Sequence, residues 1–263
     1  MYSCFNENAM TGFARYPSLT GKTVFITGGA SGIGESLVEH FSGQGALVKF
    51  IDIDVRSAEA LVARLGPPSM RPQFERCDVR DIEGLQAAIR KFEAEHGGID
   101  VLINNAASDD RHAVAAVDVA YWDERMSINL RHQFFAAQAV RPGMAKRGGG
   151  SIINLGSIVV QMGDPDSVAY VTAKGAIHAM TRSLARSFGG DRIRVNCLQP
   201  GWVMTRRQID LWLDEAGERR IAERQCIPDK LVPSDIARMA LFLAADDSRH
   251  CTSQNFIVDG GWV

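Results

Sequence analysis

The sequence has little of what would mark a membrane protein, a disulfide-stabilised protein or a nucleic-acid-binding protein. No apolar run approaches the roughly 18 residues needed to span a bilayer. The five cysteines are odd in number and scattered, without C-x-x-C or metal-ligand spacing, which predicts reduced thiols in a cytoplasmic protein. The net charge of −2 supplies no basic field, so we expect neither nucleic acid nor membrane as a partner.

Signals for metal binding and secretion are also missing. The six histidines form no H-x-x-x-H or H-E-x-x-H pattern, so the sequence predicts no metal site. Residues 1–15 are a polar lead without the apolar segment of a secretory signal, and we expect them to be flexible. Hydrophobic residues make up 46% of the 263 residues, which suffices for one large α/β domain over residues 16–263.

Short apolar runs alternate with amphipathic stretches from Lys22 onward. The runs that predict buried strands include Val24–Ile26, Leu47–Ile51, Val101–Ile103, Ser151–Ile153, Ile193–Val195 and Asn255–Val258. This alternation predicts a doubly wound parallel sheet, a Rossmann fold, because each right-handed crossover must cover a face of the sheet. Ligands of such sheets bind beyond the carboxyl ends of the strands, so the loops there are the candidate site.

The loop after the first predicted strand, residues 27–34, is rich in glycine and is followed at once by a helix. Glycines let the backbone approach a pyrophosphate, whose charge then lies at the positive end of the helix. The position between strand and helix favours dinucleotide binding over a turn that only packs a helix on a strand. The predicted contacts are Gly28, Ser31, Gly32, Ile33 and Gly34.

A carboxylate ends the second predicted strand. Asp52 lies 18 residues beyond Gly34, where it can accept both hydroxyls of an adenosine ribose and repel a 2′-phosphate. Asp52 and the adjacent Ile53 therefore predict NAD rather than NADP. Lys49 and Arg56 lie nearby in the sequence, which leaves some tolerance of NADP open. The alternative interpretation of Asp52 is a solvated carboxylate at a strand end.

Two further loops carry candidate contacts. After the third strand, Asp78 and Val79 offer an acceptor and an apolar contact to an adenine edge. After the fourth strand, Asn104–Ala107 combines amides that can tie strands together with small residues that allow a ligand close to the backbone. The polar run Ser108–His112 comes next. It either binds a polyhydroxylated substrate or forms a surface turn whose Asp and Arg side chains pair locally.

Tyr170 and Lys174 are four residues apart on a predicted helix, so their side chains are neighbours. An ammonium beside a phenol favours the phenolate, and lowering a tyrosine pKa from about 10 to about 7 requires roughly 4 kcal/mol. Such a pair can act as a general base on an alcohol, with Ser157 in the preceding loop. The alternative is a chance spacing on a solvated helix face.

Three other features bear on the site. Asn129 lies within a predicted helix from about Tyr121 to Met144, where it either holds a water near Lys174 or satisfies a backbone carbonyl. Pro200 and Gly201 end the sixth strand, and residues 202–230 are expected to form a mobile helical flap over the site. The apolar C-terminal end predicts contact with another subunit.

Taken in order, these motifs resemble the short-chain dehydrogenase/reductase family over essentially Leu19 to Val263. The 13-residue interval from Ser157 to Tyr170 agrees with that family, whereas Ala107 replaces a frequent glycine. The resemblance implies an NAD-dependent dehydrogenase with Asn129, Ser157, Tyr170 and Lys174 as catalytic residues. It also implies cofactor contacts from Asn105, Ala106, Ala107, Tyr170, Lys174, Pro200, Gly201, Val203 and Thr205.

Stretches outside these motifs, such as Asp109–His112 and Tyr121–Arg125, resemble bacterial NAD-dependent sugar dehydrogenases of the D-xylose 1-dehydrogenase type. That resemblance implies oxidation of an aldose at its anomeric carbon to a lactone, and a homotetramer with helices around 121–145 and 167–188 as interface. The alternatives are a dehydrogenase of a secondary alcohol in a sugar acid, such as a 2-keto-3-deoxy-sugar acid 4-dehydrogenase, and a non-catalytic cofactor-binding regulator. The implied substrate contacts are Ser108, Asp109, Arg111, Ser157, Val159, Gln161, Tyr170, Trp202 and Arg206.

Overall fold

A parallel sheet organises the chain. The computed structural model describes residues 12–66 and 71–263. Within these ranges the strands are β1 Thr23–Thr27, β2 Leu47–Asp52, β3 Gln73–Arg76, β4 Val101–Asn104, β5 Gly150–Leu155, β6 Ile193–Pro200 and β7 Asn255–Val258. They form one sheet in the order β3-β2-β1-β4-β5-β6-β7, and every neighbouring pair is parallel.

Helices connect the strands. In the described ranges they are α1 Gly32–Gly43, α2 Val55–Arg64, α3 Ile82–His96, α4 Val119–Met126, α5 His132–Lys146, α6 Val159–Met162, α7 Val168–Phe188, α8 Arg206–Trp212, α9 Glu215–Arg224 and α10 Pro233–Ala244. Several begin at an aspartate whose carboxylate accepts a backbone N–H of the first turn, as Asp81 does from Gly84 at 3.0 Å. This satisfies a donor that has no partner inside the helix.

The two faces of the sheet have separate cores. Strand residues alternate between the faces, so in β1 Val24 and Ile26 pack toward α1 and α10, while Phe25 packs toward α3, α5 and α7. All three side chains are fully buried. Helices on both faces confirm the predicted doubly wound sheet.

The order of the strands reverses between β1 and β4. From β1 the chain builds outward to β2 and β3, then returns to place β4 on the other side of β1. The loops that follow β1 and β4 therefore diverge at the carboxyl edge and leave a crevice, which is where ligands of doubly wound sheets bind.

The predicted helix from Tyr121 to Met144 has an irregular middle. A π-helical turn, Ser127–Arg131, joins α4 to α5 and includes Asn129. Periodicity of apolar residues does not reveal such a turn, because it changes the helix phase by only a fraction of a turn.

The predicted N-terminal lead is described only in part, because residues 1–11 lie outside the described ranges. Residues 12–15 contact the domain: the Ala14 carbonyl accepts from the Gln44 amide at 3.2 Å, and the guanidinium of Arg238 lies 3.9 Å from the ring centroid of Phe13. None of the described helices combines the length and apolarity needed to cross a bilayer.

Candidate active site

A cavity of about 450 Å³ lies at the carboxyl ends of β4, β5 and β6. Its floor includes Ser157, Tyr170 and Lys174, and the flap of residues 202–230 covers one side. A pocket of this size suits a small polar ligand together with part of a larger one. Within the described residues, no group of three or more His, Cys, Asp or Glu side chains is arranged to hold a metal ion.

The glycine-rich loop leads from β1 into α1 against the neighbouring strand. Gly28 has a φ of +69°, and a Cβ there would lie 2.7 Å from the Cα of Ala106. A Cβ on Gly34 would lie 1.8 Å from the carbonyl oxygen of Gly28. Only glycine fits at these two positions, so the loop keeps the start of α1 open to a ligand. Ser31 precedes the helix, Gly32 starts it, and Ile33 lines the cavity.

Asp52 is placed beside this loop. Its Oδ2 accepts from the backbone N–H of Ala30 at 2.9 Å, and its Oδ1 accepts from that of Asp54 at 3.0 Å. The two bonds fix the carboxylate and leave further lone pairs for ribose hydroxyls. The adjacent Ile53 is 63% exposed at the same edge.

Lys49 does not share the location of Asp52. Its side chain is 2% exposed, and its Nζ donates to Glu75 at 2.6 Å. Strand alternation puts Lys49 on the α3 face, where its ammonium lies 5.9 Å from the ring centroid of Phe92. The interpretation of Lys49 as a source of NADP tolerance was therefore wrong, because the ammonium is buried and paired on the opposite face from Asp52.

Asp78 and Val79, in the loop after β3, have different surroundings. Arg80 donates to the Asp78 carboxylate at 2.6 Å, and this hydrogen bond holds the pKa of Asp78 below its ordinary value. Val79 packs against the core between the sheet and α3. The Asp78 side chain is 36% exposed, and its contact with an adenine edge stays a prediction.

The loop after β4 is tied to β1. The amide of Asn105 donates to the carbonyl oxygens of Gly28 at 2.7 Å and Thr27 at 3.1 Å. The backbone N–H groups of Asn105 and Ala106 both donate to the hydroxyl of Thr27. Asn105 and Ala107 then line the cavity. The prediction that amides tie neighbouring strands together at this point is confirmed.

Ser157, Tyr170 and Lys174 meet as predicted. Ser157 follows β5, is 9% exposed, and lines the cavity with Tyr170, which lies in the first turn of α7. Lys174 is 1% exposed; its Nζ donates to the carbonyl oxygen of Leu155 at 2.7 Å and lies 5.3 Å from the ring centroid of Tyr170. These three side chains form a group that can bind an alcohol oxygen and accept its proton.

The Tyr170 phenol is buried, and a carboxylate acts on it. Burial raises the pKa of Tyr170, the charge of Asp109 raises it further, and the Ser157 hydroxyl acts in the opposite direction. Burial also lowers the pKa of Lys174 to about 8. In the protein by itself, desolvation of the phenolate keeps the pKa of Tyr170 above its ordinary value. That Lys174, together with a bound cationic cofactor ring, lowers this pKa stays a prediction.

Asn129 has a supporting role. Its Oδ1 accepts from the backbone N–H of Ser108 at 2.8 Å, and its Nδ2 donates to the carbonyl oxygen of the same residue at 3.0 Å. The predicted role of satisfying a backbone carbonyl is confirmed, because the Nδ2 donates to Ser108. The role of holding a water near Lys174 stays a prediction. The two hydrogen bonds fix the loop that leads into the cavity.

The polar loop, Ser108–His112, pairs with the flap. Arg207 of α8 donates to Asp109 at 3.1 Å and to Asp110 at 2.5 Å. The neighbouring Gln208 also donates to Asp109. Neither predicted alternative described this arrangement, since both carboxylates bind a segment about 100 residues away in the sequence. Asp110 also accepts from the Ser108 hydroxyl and from Arg125.

The predicted substrate residues divide into two groups. Those that line the cavity are Asp109, Arg111, Ser157, Val159, Tyr170 and Trp202. Ser108 instead donates to Asp110, Gln161 donates to Gln199 at 2.8 Å, and Arg206 pairs with Asp210 of its own helix. The Arg206 side chain is 88% exposed, so the structure does not bring it to the cavity.

The cavity lining also includes residues that the sequence did not single out, among them Gln208, Arg220 and Trp262. Gln208 and Arg220 belong to the flap. Their spacing from the catalytic motifs does not mark them as residues of the site. Trp262 follows the two glycines of the C-terminus, which do predict a turn. The turn packs this end of the chain against its own flap; contact of the end with another subunit stays a prediction.

The comparisons with known proteins agree with this geometry. A family model described as enoyl-(acyl carrier protein) reductase matches residues 28–263. The chain belongs to the short-chain dehydrogenase/reductase family, whose members are oxidoreductases that use NAD or NADP. This confirms the resemblance seen in the motifs.

Within the family, the chain is similar to sugar dehydrogenases. It is 49% identical over 249 residues to D-xylose 1-dehydrogenase of Caulobacter vibrioides, covering 95% of this chain and 98% of the relative. It is 46% identical to a probable galactose dehydrogenase of Rhizobium meliloti, covering 94% and 97%. A crystal structure of a proposed short-chain alcohol dehydrogenase from Sinorhizobium meliloti 1021 superposes with a TM-score of 0.88 at 32% identity, covering 94% and 98%.

The crevice fits a nicotinamide dinucleotide. The glycine cradle admits a pyrophosphate at the start of α1, and Asp52 presents carboxylate oxygens where a ribose would lie. On the other side, the cavity is lined by Tyr170 and Lys174 together with Pro200, Gly201, Val203 and Thr205. The chain thus has groups for both halves of the cofactor.

Proposed function

We propose that this protein oxidises an aldose at its anomeric carbon, with NAD as the electron acceptor, to give a lactone. The observation that carries the proposal is the meeting of Ser157, Tyr170 and Lys174 in one cavity that also contains an indole and a carboxylate. The similarity to a D-xylose 1-dehydrogenase and a probable galactose dehydrogenase supports the choice of substrate.

In this proposal the side chains handle the proton. Ser157 donates a hydrogen bond to the anomeric oxygen and orients it toward Tyr170, which accepts the hydroxyl proton. Lys174 is held by the Leu155 carbonyl close to the phenol, where its charge offsets part of the cost of a buried phenolate. A bound nicotinamide dinucleotide would supply the acceptor for the hydride. The sugar thus loses a proton and a hydride, and the anomeric carbon becomes the carbonyl carbon of the lactone.

Asp52 supports NAD as the cofactor. Its carboxylate is fixed by two backbone N–H groups. In this position it would lie against the 2′-phosphate of NADP, and the two negative charges would repel each other. Lys49 is buried on the other face and cannot neutralise that phosphate. Arg56, the other cation that the sequence offered for NADP tolerance, is exposed on α2.

A second candidate function is the oxidation of a secondary alcohol in a sugar acid. It is favoured by two cations at the cavity, Arg111 and Arg220, since a carboxylate substrate needs a positive partner. Arg207 is not available to a substrate carboxylate, because it is paired with Asp109 and Asp110. Arg111 lies over the ring of Trp212, with 4.1 Å between guanidinium and ring centroid.

A substrate panel tests the proposal. The purified protein is assayed for NADH formation with aldoses, the corresponding sugar acids, 2-keto-3-deoxy-sugar acids and polyols. We expect the largest kcat/KM with an aldose and a lactone as product. A higher kcat/KM with the acids would select the second candidate. NAD binding without turnover of any compound would point to a cofactor-binding regulator.

We further propose a homotetramer that works in the cytoplasm. An apolar groove on α4, α5 and α7 supports an interface there; it is lined by Met126, Leu130, Phe134, Phe135 and Met180 among others. Phe134 is 41% exposed in the single chain. The four cysteines in the described part of the chain are free thiols, in keeping with a reducing compartment. Sedimentation analysis of the wild type and a Phe134→Glu variant tests the interface.

A further inference from the structure

The C-terminal tail, residues 259–263, turns back over the site of its own chain. Asp259 is 5% exposed, and its carboxylate accepts from the backbone N–H groups of Gly261 at 2.8 Å and Val263 at 2.9 Å. The two glycines of the tail have φ values of +70° and +82°, which glycine adopts without strain. The resulting turn directs Trp262 into the lining of the cavity.

The tail is bound on two sides. The backbone N–H of Gly201 donates to the last carbonyl of β7 at 2.9 Å, and a Cβ on Gly201 would lie 2.7 Å from the Cα of Asp259. On the flap side, Cys226 and Ile227 both donate their backbone N–H to the carbonyl of Gly260, at 2.9 and 3.0 Å. The tail is therefore an ordered part of the wall between β6 and the flap.

Trp262 meets a second indole at the cavity. The ring centroids of Trp202 and Trp262 are 6.4 Å apart and their planes cross at 64°. Trp202 is itself held, because its Nε1 donates to Gln208 at 2.9 Å and its ring lies against Gly217, where a Cβ would come within 2.8 Å. Both indoles line the cavity that contains Tyr170. The two rings form an aromatic corner of the cavity wall.

We propose that the tail is part of the substrate site, and that Trp262 and Trp202 form a corner against which the C–H face of a sugar ring packs. A pyranose or furanose presents C–H groups on one face and hydroxyls at its edge. The negative face of an indole attracts such C–H groups, and the hydroxyls remain free for polar partners such as Asp109. This inference rests on the proposed function and adds a specificity-determining residue to it.

Three variants of the tail test the inference. Trp262→Leu keeps apolar bulk but removes the ring, Trp262→Phe keeps an aromatic ring, and Val263→Ala alters a neighbour that does not line the cavity. For each, kcat and KM are measured with a cyclic aldose and with an acyclic polyol or small alcohol that the enzyme accepts. NADH affinity is measured by fluorescence titration, and thermal melting checks that the variant is folded.

We expect Trp262→Leu to raise the KM for the aldose by about three- to tenfold with a smaller change in kcat, the range typical of one aromatic contact. The acyclic substrate and the NADH affinity should change by less than about twofold, as should all parameters of Trp262→Phe and Val263→Ala.

Two results would overturn the inference while leaving the proposed function intact. One is an unchanged aldose KM in Trp262→Leu. The other is an equal loss with cyclic and acyclic substrates, or in NADH affinity, which would make Trp262 a structural residue of the wall. A wild-type protein that oxidises no aldose refutes the proposed function itself, and this is seen before any variant is made.

Discussion

Removing Arg207 should weaken the attachment of the flap to the polar loop after β4, which Gln208 also holds. Arg207 pairs with Asp109 at 3.1 Å and with Asp110 at 2.5 Å, and the three side chains are 49%, 30% and 47% exposed. Each such partly exposed ion pair contributes about 0.2–1 kcal/mol. Two of them give about 0.4–2 kcal/mol, so Arg207→Ala should lower kcat/KM for the sugar by about two- to thirtyfold, provided that a docked flap is required for turnover.

The adjacent Arg206 is a matched control. It belongs to the same helix and is 88% exposed, but it pairs with Asp210 of that helix and not with the loop after β4. Arg206→Ala should therefore leave kcat/KM close to that of the wild type. Steady-state rates are measured for the wild type and both variants at saturating NAD over a range of NaCl concentrations.

Ionic strength gives the second readout. The screening length falls from about 10 Å at 0.1 M salt to about 3 Å at 1 M, so the ion pairs of Arg207 should contribute less in high salt. The difference in kcat/KM between the wild type and Arg207→Ala should then become smaller. The reasoning is refuted if both arginine variants lose the same activity, or if this difference does not depend on salt. Faster amide hydrogen exchange in residues 206–224 of Arg207→Ala alone would give independent support.

Three further predictions concern the chemistry and the cofactor. Tyr170→Phe should lower kcat by about 10²- to 10⁴-fold, the usual contribution of a positioned acid–base group, and near-normal turnover in the NADH assay would remove Tyr170 as the base. Asp52→Ala should raise the ratio of kcat/KM with NADP to that with NAD, since the repelling carboxylate is gone; an unchanged ratio would exclude a ribose contact. Asp109→Asn should move the acid limb of the pH profile of kcat to lower pH. Oxidation needs the unprotonated phenol, and the Asp109 charge raises the pKa of Tyr170. Asp110→Asn removes the other partner of Arg207 and serves as the control, and an acid limb that stays in place in Asp109→Asn would contradict this assignment.

The parts of the fold that follow from local pattern could be predicted from the sequence. Buried parallel strands appear as short apolar runs, and the rule that ligands bind at their carboxyl ends places the loops after β1, β4 and β5 at one site. The interval of four residues between Tyr170 and Lys174 fixes their proximity, because α7 is regular over this stretch.

What the sequence could not supply depends on contacts between distant segments. Arg207 and Asp109 are 98 residues apart, and no local signal pairs them. The difference between Arg206 and Arg207 depends only on which side of α8 faces the polar loop. The pKa of Tyr170 is set by its burial, which spacing along a helix does not reveal.

The buried pair of Lys49 and Glu75 has a consequence for redesign of the enzyme. A biotechnologist who wants the protein to reduce NADP in place of NAD must provide a positive charge for the extra phosphate. Lys49 cannot be recruited for that purpose, because its ammonium is buried on the opposite face of the sheet and paired there with Glu75. The charge has to be installed anew on the solvent side, and Ile53, next to the discriminating carboxylate, is the natural position for an arginine.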